Sequence, residues 1–175
     1  SLHDALPICR QAHTDVGRAN EVQRLLLQAL AHHQKNQLGL AQIGYEQVLA
    51  LSPHNFDALH MLGVLCTQTQ QPQLAVDLIQ QAIHTNPRVA GAYVNLGVAL
   101  RQLKLFDEAV DSYDHALALE PNDAQTHTNR GVALRSLKRY LPALESYNTA
   151  LRIDPNLVEA HYNRGLVRND LNLLT

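Results

Sequence analysis

Residues 90–123 read AGAYVNLGVALRQLKLFDEAVDSYDHALALEPND, and the pattern of this stretch recurs along most of the chain. Within it, apolar residues return every three or four positions in two consecutive runs, as on one face of an α-helix. The recurrence has a fixed step of 34 residues, which is marked by two series: Pro53, Pro87, Pro121 and Pro155, and Gly63, Gly97, Gly131 and Gly165. A strict period of this length predicts a solenoid of helix pairs.

The composition agrees with a helical array and excludes several classes of protein. Of the 175 residues, 46% are apolar and 17% are charged, and the formal net charge is −2. This balance argues against a nucleic-acid-binding protein, which would carry a basic surface. The two cysteines, Cys9 and Cys66, provide neither a disulfide framework nor a metal-binding spacing. No apolar run approaches the roughly 20 residues that a membrane-spanning helix needs.

The first residues do not follow the repeat. Residues 1–9, SLHDALPIC, lack the basic start and apolar centre of a signal peptide. Back-translated, they resemble the end of a sequencing adapter that runs into its insert, and the alternative is a natural leader. Residues 1–21 are therefore assigned to a non-repeat lead-in. Asn20 is expected to cap the first helix of the array, because its side-chain oxygen can accept a bond from a free backbone N–H.

The period divides the remaining chain into four full units, 22–55, 56–89, 90–123 and 124–157, and a partial unit, 158–175, that contains only a first helix. Counting from the start of each unit, positions 4, 8 and 11 lie within about 60° of one another on a helix and predict one buried stripe. A glycine inside a helix costs about 1 kcal/mol relative to alanine. Its return at position 8 therefore indicates that two helices approach too closely there for a larger side chain.

The second helix of each unit has its own repeated set. Alanines occupy position 20 of all four full units, as Ala41, Ala75, Ala109 and Ala143. Larger residues at position 24 alternate with them, which is how neighbouring helices interlock. The prolines at position 32 then end each second helix, because proline cannot continue it.

The combined pattern resembles the tetratricopeptide repeat. It is most specific in the third and fourth units, where aromatic residues also stand at positions 17 and 24, as Phe106, Tyr113, Tyr140 and Tyr147. The first unit departs from it because Ala29 replaces the glycine, and the second because Pro72 replaces the aromatic residue. The resemblance implies an all-α fold, a right-handed α-α superhelix of about four and a half helix-turn-helix repeats. It also implies that the first helices line a concave groove.

Positions 2, 6, 9 and 13 of each first helix lie opposite the buried stripe and are expected to face this groove. Asparagines at position 6 would form a ladder of carboxamides that can bind a peptide backbone, although asparagine is also common on exposed helix faces. Position 9 offers an apolar strip. The arginines at position 12, and Arg130 and Arg164 at position 7, can bind acidic side chains or a carboxylate, although single arginines on helix flanks are usually solvated. The predicted peptide-binding residues are Asn95, Asn129, Asn163, Val98, Val132, Leu166, Arg101 and Arg135.

Catalytic and cofactor-binding patterns are not found in the sequence. It has no glycine-rich phosphate loop, no nucleophile elbow and no helix motif with paired histidines. The histidines do not have the spacing of metal ligands, so we predict neither a metal nor another cofactor. Cys66 is expected to be a small core residue. The carboxylate-binding subtype of these repeats has asparagine at position 9, where this chain has valine or leucine throughout.

Two functions remain. In the first, the array is a non-enzymatic scaffold that binds a protein or peptide segment in its groove. In the second, it is the substrate-binding arm of a larger glycosyltransferase. This alternative rests on the stretches LLLQALAHHQ at 25–34 and QVLALSPHNFDALHMLGVL at 47–65, which resemble bacterial repeat proteins that continue into a domain of the protein O-linked N-acetylglucosamine transferase type. Its catalytic domain would follow residue 175.

The last unit adds an expectation about association. Without a second helix, its apolar residues are expected to remain uncovered, namely Leu166, Val167, Leu171, Leu173 and Leu174. Repeat arrays normally close with a polar capping helix, and the sequence NDLNLLT is not one. The sequence therefore predicts that the native protein continues and that this end self-associates.

Overall fold

A computed structural model of the chain describes the backbone of residues 6–172 and the side chains of residues 16–172. These residues form an all-α superhelix of nine helices without a strand. The helices are α1 (Leu6–Gln34), α2 (Leu38–Leu51), α3 (Phe56–Gln68), α4 (Pro72–Thr85), α5 (Ala90–Gln102), α6 (Phe106–Leu119), α7 (Ala124–Ser136), α8 (Tyr140–Ile153) and α9 (Val158–Asn172).

The stacking of the helices gives the array two different sides. Each helix packs against the next one in the chain, and each odd-numbered helix also contacts the following odd-numbered helix. Among the described residues, no such contact joins one even-numbered helix to the next. The odd-numbered helices are therefore closer together, and the array curves with them on its inner side. We call their solvent-facing surface the inner face.

Each first helix between α3 and α7 buries two stripes of side chains. Positions 8 and 11 pack toward the second helix of the same unit, as expected from the sequence, and Cys66, Leu100 and Leu134 are buried there. At position 4 the expectation is only partly met, because Tyr93 and His127 are half-buried. The second stripe consists of positions 3 and 10, which face the preceding unit: Ala58, Leu65, Ala92, Ala99, Thr126 and Ala133.

The glycines at position 8 mark close contacts between the helices of one unit. A Cβ atom built on Gly97 would lie 2.5 Å from Cε1 of Tyr113, and one on Gly131 would lie 2.6 Å from Cε1 of Tyr147. In the first unit the arrangement is reversed, since a Cβ on Gly44 would lie 2.7 Å from the Cβ of Ala29. The second helix thus provides the glycine that the first helix lacks.

Sharp turns connect the two helices of a unit. At position 15 the backbone enters the left-handed region in Asn36, Gln70, Lys104 and Lys138, with φ between 57° and 62°. The next N–H then bonds back to the last turn, as from Gln37 N to His32 O at 2.9 Å. This is the Schellman geometry, which usually takes glycine. None of the four is glycine and only Asn36 is asparagine, the other residue that favours this conformation, so the sequence contained little signal for these turns.

The ends of the units follow local rules. Each second helix ends two residues before a proline of the periodic series, for example α6 at Leu119 before Pro121. The next helix is capped in two cases by a side chain: Asn55 accepts a bond from Ala58 N at 2.9 Å, and Asp123 accepts one from Gln125 N at 3.0 Å. The alanines at position 20, Ala75, Ala109 and Ala143, are fully buried.

The N-terminal helix differs from the prediction. Asn20 does not cap it, because α1 already begins at Leu6 and Asn20 lies in its interior. The lead-in and the first predicted helix are therefore one continuous helix over the described residues. In later first helices, positions 3, 7 and 10 face the preceding unit. In α1 the same positions are exposed, and they are occupied by Arg24, Gln28 and Ala31.

The last described helix also corrects an expectation. Val167 is fully buried rather than uncovered, because positions 3 and 10 of α9, Ala160 and Val167, pack toward α8. Leu166 and Leu171 are half-buried, while Leu173 and Leu174 lie outside the described residues. The exposed residues of α9 include His161, Gly165 and Arg168 and also the apolar Val158 and Tyr162. This surface mixes polar and apolar side chains, and self-association through α9 remains a prediction from sequence.

Candidate peptide-binding face

The eight residues predicted from the sequence lie on α5, α7 and α9, and all of them are half-buried. Half-burial fits side chains that stand on a helix wall and remain open to solvent on one side. The three helices present the same order of residue types because they share one register: asparagine, then an apolar residue, with an arginine after it on α5 and α7. The part of the inner face that is predicted to bind a peptide consists of Asn95, Val98, Arg101, Asn129, Val132, Arg135, Asn163 and Leu166.

The asparagine side chains are already engaged within the chain. Asn95 Nδ2 donates to Nε2 of His60 at 2.8 Å, and Asn163 Nδ2 donates to the carbonyl oxygen of Glu159 at 2.9 Å. Asn129 Oδ1 accepts a bond of 3.3 Å from Arg101 Nη1. The position 6 asparagines therefore form part of the fold, and a bound peptide would use the remaining polar group of each carboxamide.

His60 is a structural partner that the sequence did not single out. It stands at position 5 of the second unit and links α3 to α5 through Asn95. Burial lowers its pKa, and this effect is opposed by Asp57 and by a bond with the backbone of Gly91. The imidazole is thus favoured in its neutral form, which leaves Nε2 able to accept the Asn95 amide proton.

The two position 12 arginines have different partners. Arg135 Nε donates to Asp170 Oδ2 at 2.7 Å in an ion pair, and this hydrogen bond raises the pKa of the guanidinium. Arg101 forms no ion pair with any described residue, and its hydrogen bond to Asn129 is long at 3.3 Å. Equivalent residues in consecutive units are therefore compensated to different degrees.

Buried tyrosine hydroxyls lie below these arginines. Tyr113 and Tyr147 are fully buried; the Tyr147 hydroxyl has no hydrogen-bond partner among the described residues, whereas the Tyr113 hydroxyl interacts with the Arg101 guanidinium. Burial raises the pKa of both phenols, while the neighbouring Arg101 and Arg135 guanidinium groups oppose the increase. In the first unit the equivalent Tyr45 hydroxyl lies 3.0 Å from His33 Nδ1. Burial raises the pKa of Tyr45 to about 12.

A second set of contacts ties successive first helices together. Position 12 of one unit meets position 13 of the next, and the two positions are 35 residues apart. His33 Nε2 lies 3.0 Å from Gln68 Oε1, and Gln102 Nε2 donates to the carbonyl oxygen of Thr67 at 3.3 Å. The ion pair between Arg135 and Asp170 is the third case. These pairs could have been found from the sequence by comparing residues that are 35 positions apart, which is one more than the 34-residue repeat.

One cavity brings several predicted residues together. Val132, Arg135 and Asn163 line a cavity of about 290 Å³ between α7 and α9. The other lining residues are Ser136, Lys138, Tyr140 and Asp170. Its walls combine an apolar side chain, an aromatic ring, an amide and both signs of charge. The other five predicted residues do not line this cavity.

The two further candidate arginines, Arg130 and Arg164, have partners away from the inner face. Arg130 Nε forms an ion pair of 2.6 Å with Asp114, and its Nη1 donates to Ser146 Oγ at 2.8 Å. Arg164 Nη1 donates to Asn148 Oδ1 at 3.1 Å. All three partners are on second helices: Asp114 and Asn148 belong to the preceding unit, and Ser146 belongs to the same unit as Arg130. These arginines are therefore not part of the candidate face.

No other chemistry is evident in the described part of the chain. It contains no cluster of three or more His, Cys, Asp or Glu side chains placed to hold a metal ion. The Cys66 thiol is buried, and burial raises its pKa, so the reactive thiolate is disfavoured. Within residues 6–172, no helix combines the length and apolar character that crossing a membrane requires.

Comparison with known proteins agrees with this architecture. Residues 88–156 match the family model described as tetratricopeptide repeat. A structure of MamA AMB-1 is 30% identical, covers 81% of this chain and 78% of its own, and superposes with a TM-score of 0.69. A second MamA crystal structure is 22% identical and has a TM-score of 0.82, with coverage of 89% and 85%.

A third similar structure is YrrB, described as a TPR protein with an unusual peptide-binding site. It is 25% identical to this chain and covers 78% of it and 71% of its own length, with a TM-score of 0.74. No curated protein sequence matches the chain. The period, the helix pairs, the matched family model and the similarity to MamA lead to one conclusion. The chain belongs to the tetratricopeptide repeat family.

Proposed function

We propose that the chain is a scaffold that binds an extended segment of another protein along its inner face, without catalysing a reaction. The observation that carries this proposal is the apolar strip of Val98, Val132 and Leu166, whose side chains are only half-buried although they repeat at one register. Half-exposed apolar residues between polar ones are typical of a surface that buries a partner's side chains.

The polar residues around the strip support the same function. An extended peptide needs partners for its backbone N–H and C=O groups, and carboxamides provide both a donor and an acceptor. The intramolecular bonds of Asn95, Asn129 and Asn163 use one such group each and hold the side chains in place. A preordered side chain loses less conformational entropy on binding than a free one. The similarity to YrrB adds a related protein with a peptide-binding site.

The alternative is that the array is the substrate-binding arm of a larger glycosyltransferase. It would use the same inner face to hold an acceptor polypeptide, so it differs from the scaffold only in a catalytic domain outside these residues. No contact or cavity in the described chain favours this alternative. The scaffold is therefore the simpler proposal.

The proposal can be tested with peptides selected from a random display library on the purified chain. The test variant is the double change Val98→Ser and Val132→Ser, which removes apolar contact area from the inner face. We expect it to weaken binding of the selected peptides about tenfold, as measured by fluorescence anisotropy, because each valine would lose part of its burial against the ligand.

The matched control is Leu141→Ser, because Leu141 is 71% exposed on α8, away from the inner face. Its affinity should stay within about twofold of the original chain, and circular dichroism should show all variants to be helical. The proposal would be overturned if the Leu141 variant lost binding while the double variant kept it, or if repeated selections returned no peptide that binds.

A further inference from the structure

We propose that Arg101 is a subsite for a carboxylate of an acidic peptide, provided by an aspartate or glutamate side chain. The inference rests on the proposed function, and it names the chemistry of the partner at one point of the inner face. It is carried by a break in an otherwise regular pattern. Arg101 stands at position 12, where the other units have a partner at position 13 of the next unit.

The regular pattern is seen at three of the four junctions between first helices. The pairs are His33 with Gln68, Thr67 with Gln102, and Arg135 with Asp170. At the remaining junction the residue at position 13 is Ser136, which is the repeat equivalent of Asp170. Ser136 Oγ donates to the carbonyl oxygen of Val132 on its own helix at 3.1 Å. Arg101 therefore lacks the partner that its register would give it.

Asp170 shows what fits a position 12 arginine in this fold. Its carboxylate lies 2.7 Å from Arg135 Nε, and both side chains keep partial solvent access, with relative exposures of 25% and 34%. A carboxylate therefore reaches this guanidinium from the groove side without being fully desolvated. A peptide carboxylate placed over Ser136 would have the same relation to Arg101 that Asp170 has to Arg135.

The surroundings of Arg101 leave its charge weakly compensated. The long bond to Asn129 is to a neutral oxygen, which binds a guanidinium less strongly than a carboxylate does. The guanidinium also interacts with the buried Tyr113 hydroxyl, which is a second neutral group and does not balance the charge. The Arg101 guanidinium is partly withdrawn from water and has no carboxylate beside it among the described residues, which costs free energy. A peptide carboxylate that binds there offsets this desolvation cost.

The occupant is a peptide carboxylate rather than a nucleic-acid phosphate. Phosphate backbones are bound by extended basic surfaces, whereas the chain has a net charge of −2 and the neighbouring Arg135 is already paired. A single uncompensated guanidinium beside half-exposed valines matches an acidic residue flanked by apolar ones. The partner segment would thus be extended and would carry Asp or Glu next to aliphatic side chains.

The experiment moves the internal carboxylate from one junction to the other, so that Arg101 gains a partner and Arg135 loses one. Ser136→Asp gives Arg101 an internal carboxylate, and Asp170→Ser removes the internal carboxylate from Arg135. The probe is a fluorescent peptide of Val, Ser and Glu with both ends blocked, compared with the same peptide in which Gln replaces every Glu. A third peptide has Gln throughout but a free C-terminal carboxylate, which separates a side-chain carboxylate from a terminal one.

We expect the original chain to bind the Glu peptide about tenfold more tightly than the blocked Gln peptide, as charge-assisted bonds are stronger than neutral ones. Ser136→Asp should abolish this preference, Asp170→Ser should increase it, and Arg101→Gln should behave like Ser136→Asp. Nε–Hε signals of the arginines in ¹⁵N NMR spectra should show Arg101, but not Arg135, shifting when the Glu peptide is added.

The proposal is overturned if the Glu and blocked Gln peptides bind equally, if the free C-terminus alone accounts for the preference, or if Ser136→Asp leaves the preference unchanged. If the original chain binds the Gln peptide but shows no preference for the Glu peptide, the subsite is refuted and the scaffold proposal still stands. Failure of all display-selected peptides would instead refute the scaffold. Circular dichroism of each variant shows whether a lost preference reflects unfolding, and Ser136→Asp is not expected to unfold the array.

Discussion

Helices α7 and α9 have the same repeat register, but, among the helices that the structure describes, neighbours cover both sides of α7 and only one side of α9. Both bury positions 3 and 10 against the preceding second helix, through Thr126 and Ala133 in α7 and through Ala160 and Val167 in α9. Only α7 is also covered at positions 8 and 11, because α8 follows it. A first helix that is covered on both sides therefore makes two kinds of contact through different positions. Positions 3 and 10 contact the preceding unit, and positions 8 and 11 contact the second helix of the same unit.

The clearest test of this difference is the pair Gly131→Leu and Gly165→Leu. A Cβ on Gly131 would meet the buried ring of Tyr147 at 2.6 Å, while nothing lies within 4 Å of a Cβ on Gly165. We expect the first change to destabilise the array by about 1–3 kcal/mol, through overpacking. The second should stabilise α9 by up to about 1 kcal/mol, because leucine is the better helix former.

Urea denaturation followed by circular dichroism measures both changes, with the transition midpoints compared because a repeat array need not unfold in one step. Equal effects at the two sites would show that the close contact is not what distinguishes α7 from α9. A Gly97→Leu variant repeats the test in α5, where the corresponding ring is that of Tyr113.

A second pair of variants concerns the side of α9 that is covered. Val167 is fully buried and its neighbour Leu166 is half-buried on the inner face. Val167→Ala should destabilise α9 by about 1–2 kcal/mol through the loss of two buried methyl groups and the cavity they leave. Leu166→Ala should cost less than about 1 kcal/mol, since less of that side chain is withdrawn from water.

Hydrogen exchange monitors this directly, because local opening of one helix is seen in its own amides. Faster exchange confined to α9 in the Val167 variant, with α5 unchanged, is the expected result. If the Leu166 variant had the larger effect, the helix would be held through its inner face rather than through α8.

These two helices also show what the sequence could and could not reveal. The period and the recurring glycines, alanines and prolines were sufficient to predict an all-α superhelix and helix contacts near Gly97 and Gly131. The buried set at positions 3 and 10 was missed because most of its members are alanine or threonine, which do not stand out as core residues. Val167 was placed on the wrong side because one missing helix was taken to uncover both stripes.

The candidate face was less predictable than the fold. Helical periodicity placed its residues on one side of each helix, but hydrogen bonds between repeats depend on which residues meet 35 positions apart. His60 and Asp170 illustrate this, since each acquires its role only from a partner in another unit. The left-handed residues at position 15, such as Lys104, were likewise invisible because no glycine marks them.

The smallest expected effect concerns the tyrosine that covers Gly131. Tyr147→Phe removes a buried hydroxyl that has no partner among the described residues, so the change should be neutral or slightly stabilising. Tyr45→Phe, its repeat equivalent, removes a hydroxyl that lies 3.0 Å from His33 Nδ1 and should cost about 0.5–1.5 kcal/mol. Thermal unfolding of both variants distinguishes these cases. A clear loss of stability in the Tyr147 variant would show that the hydroxyl is hydrogen-bonded in solution and that the α7–α8 pair depends on polar as well as steric contacts. Arg135, whose charge lowers the pKa of this phenol, is then the candidate partner.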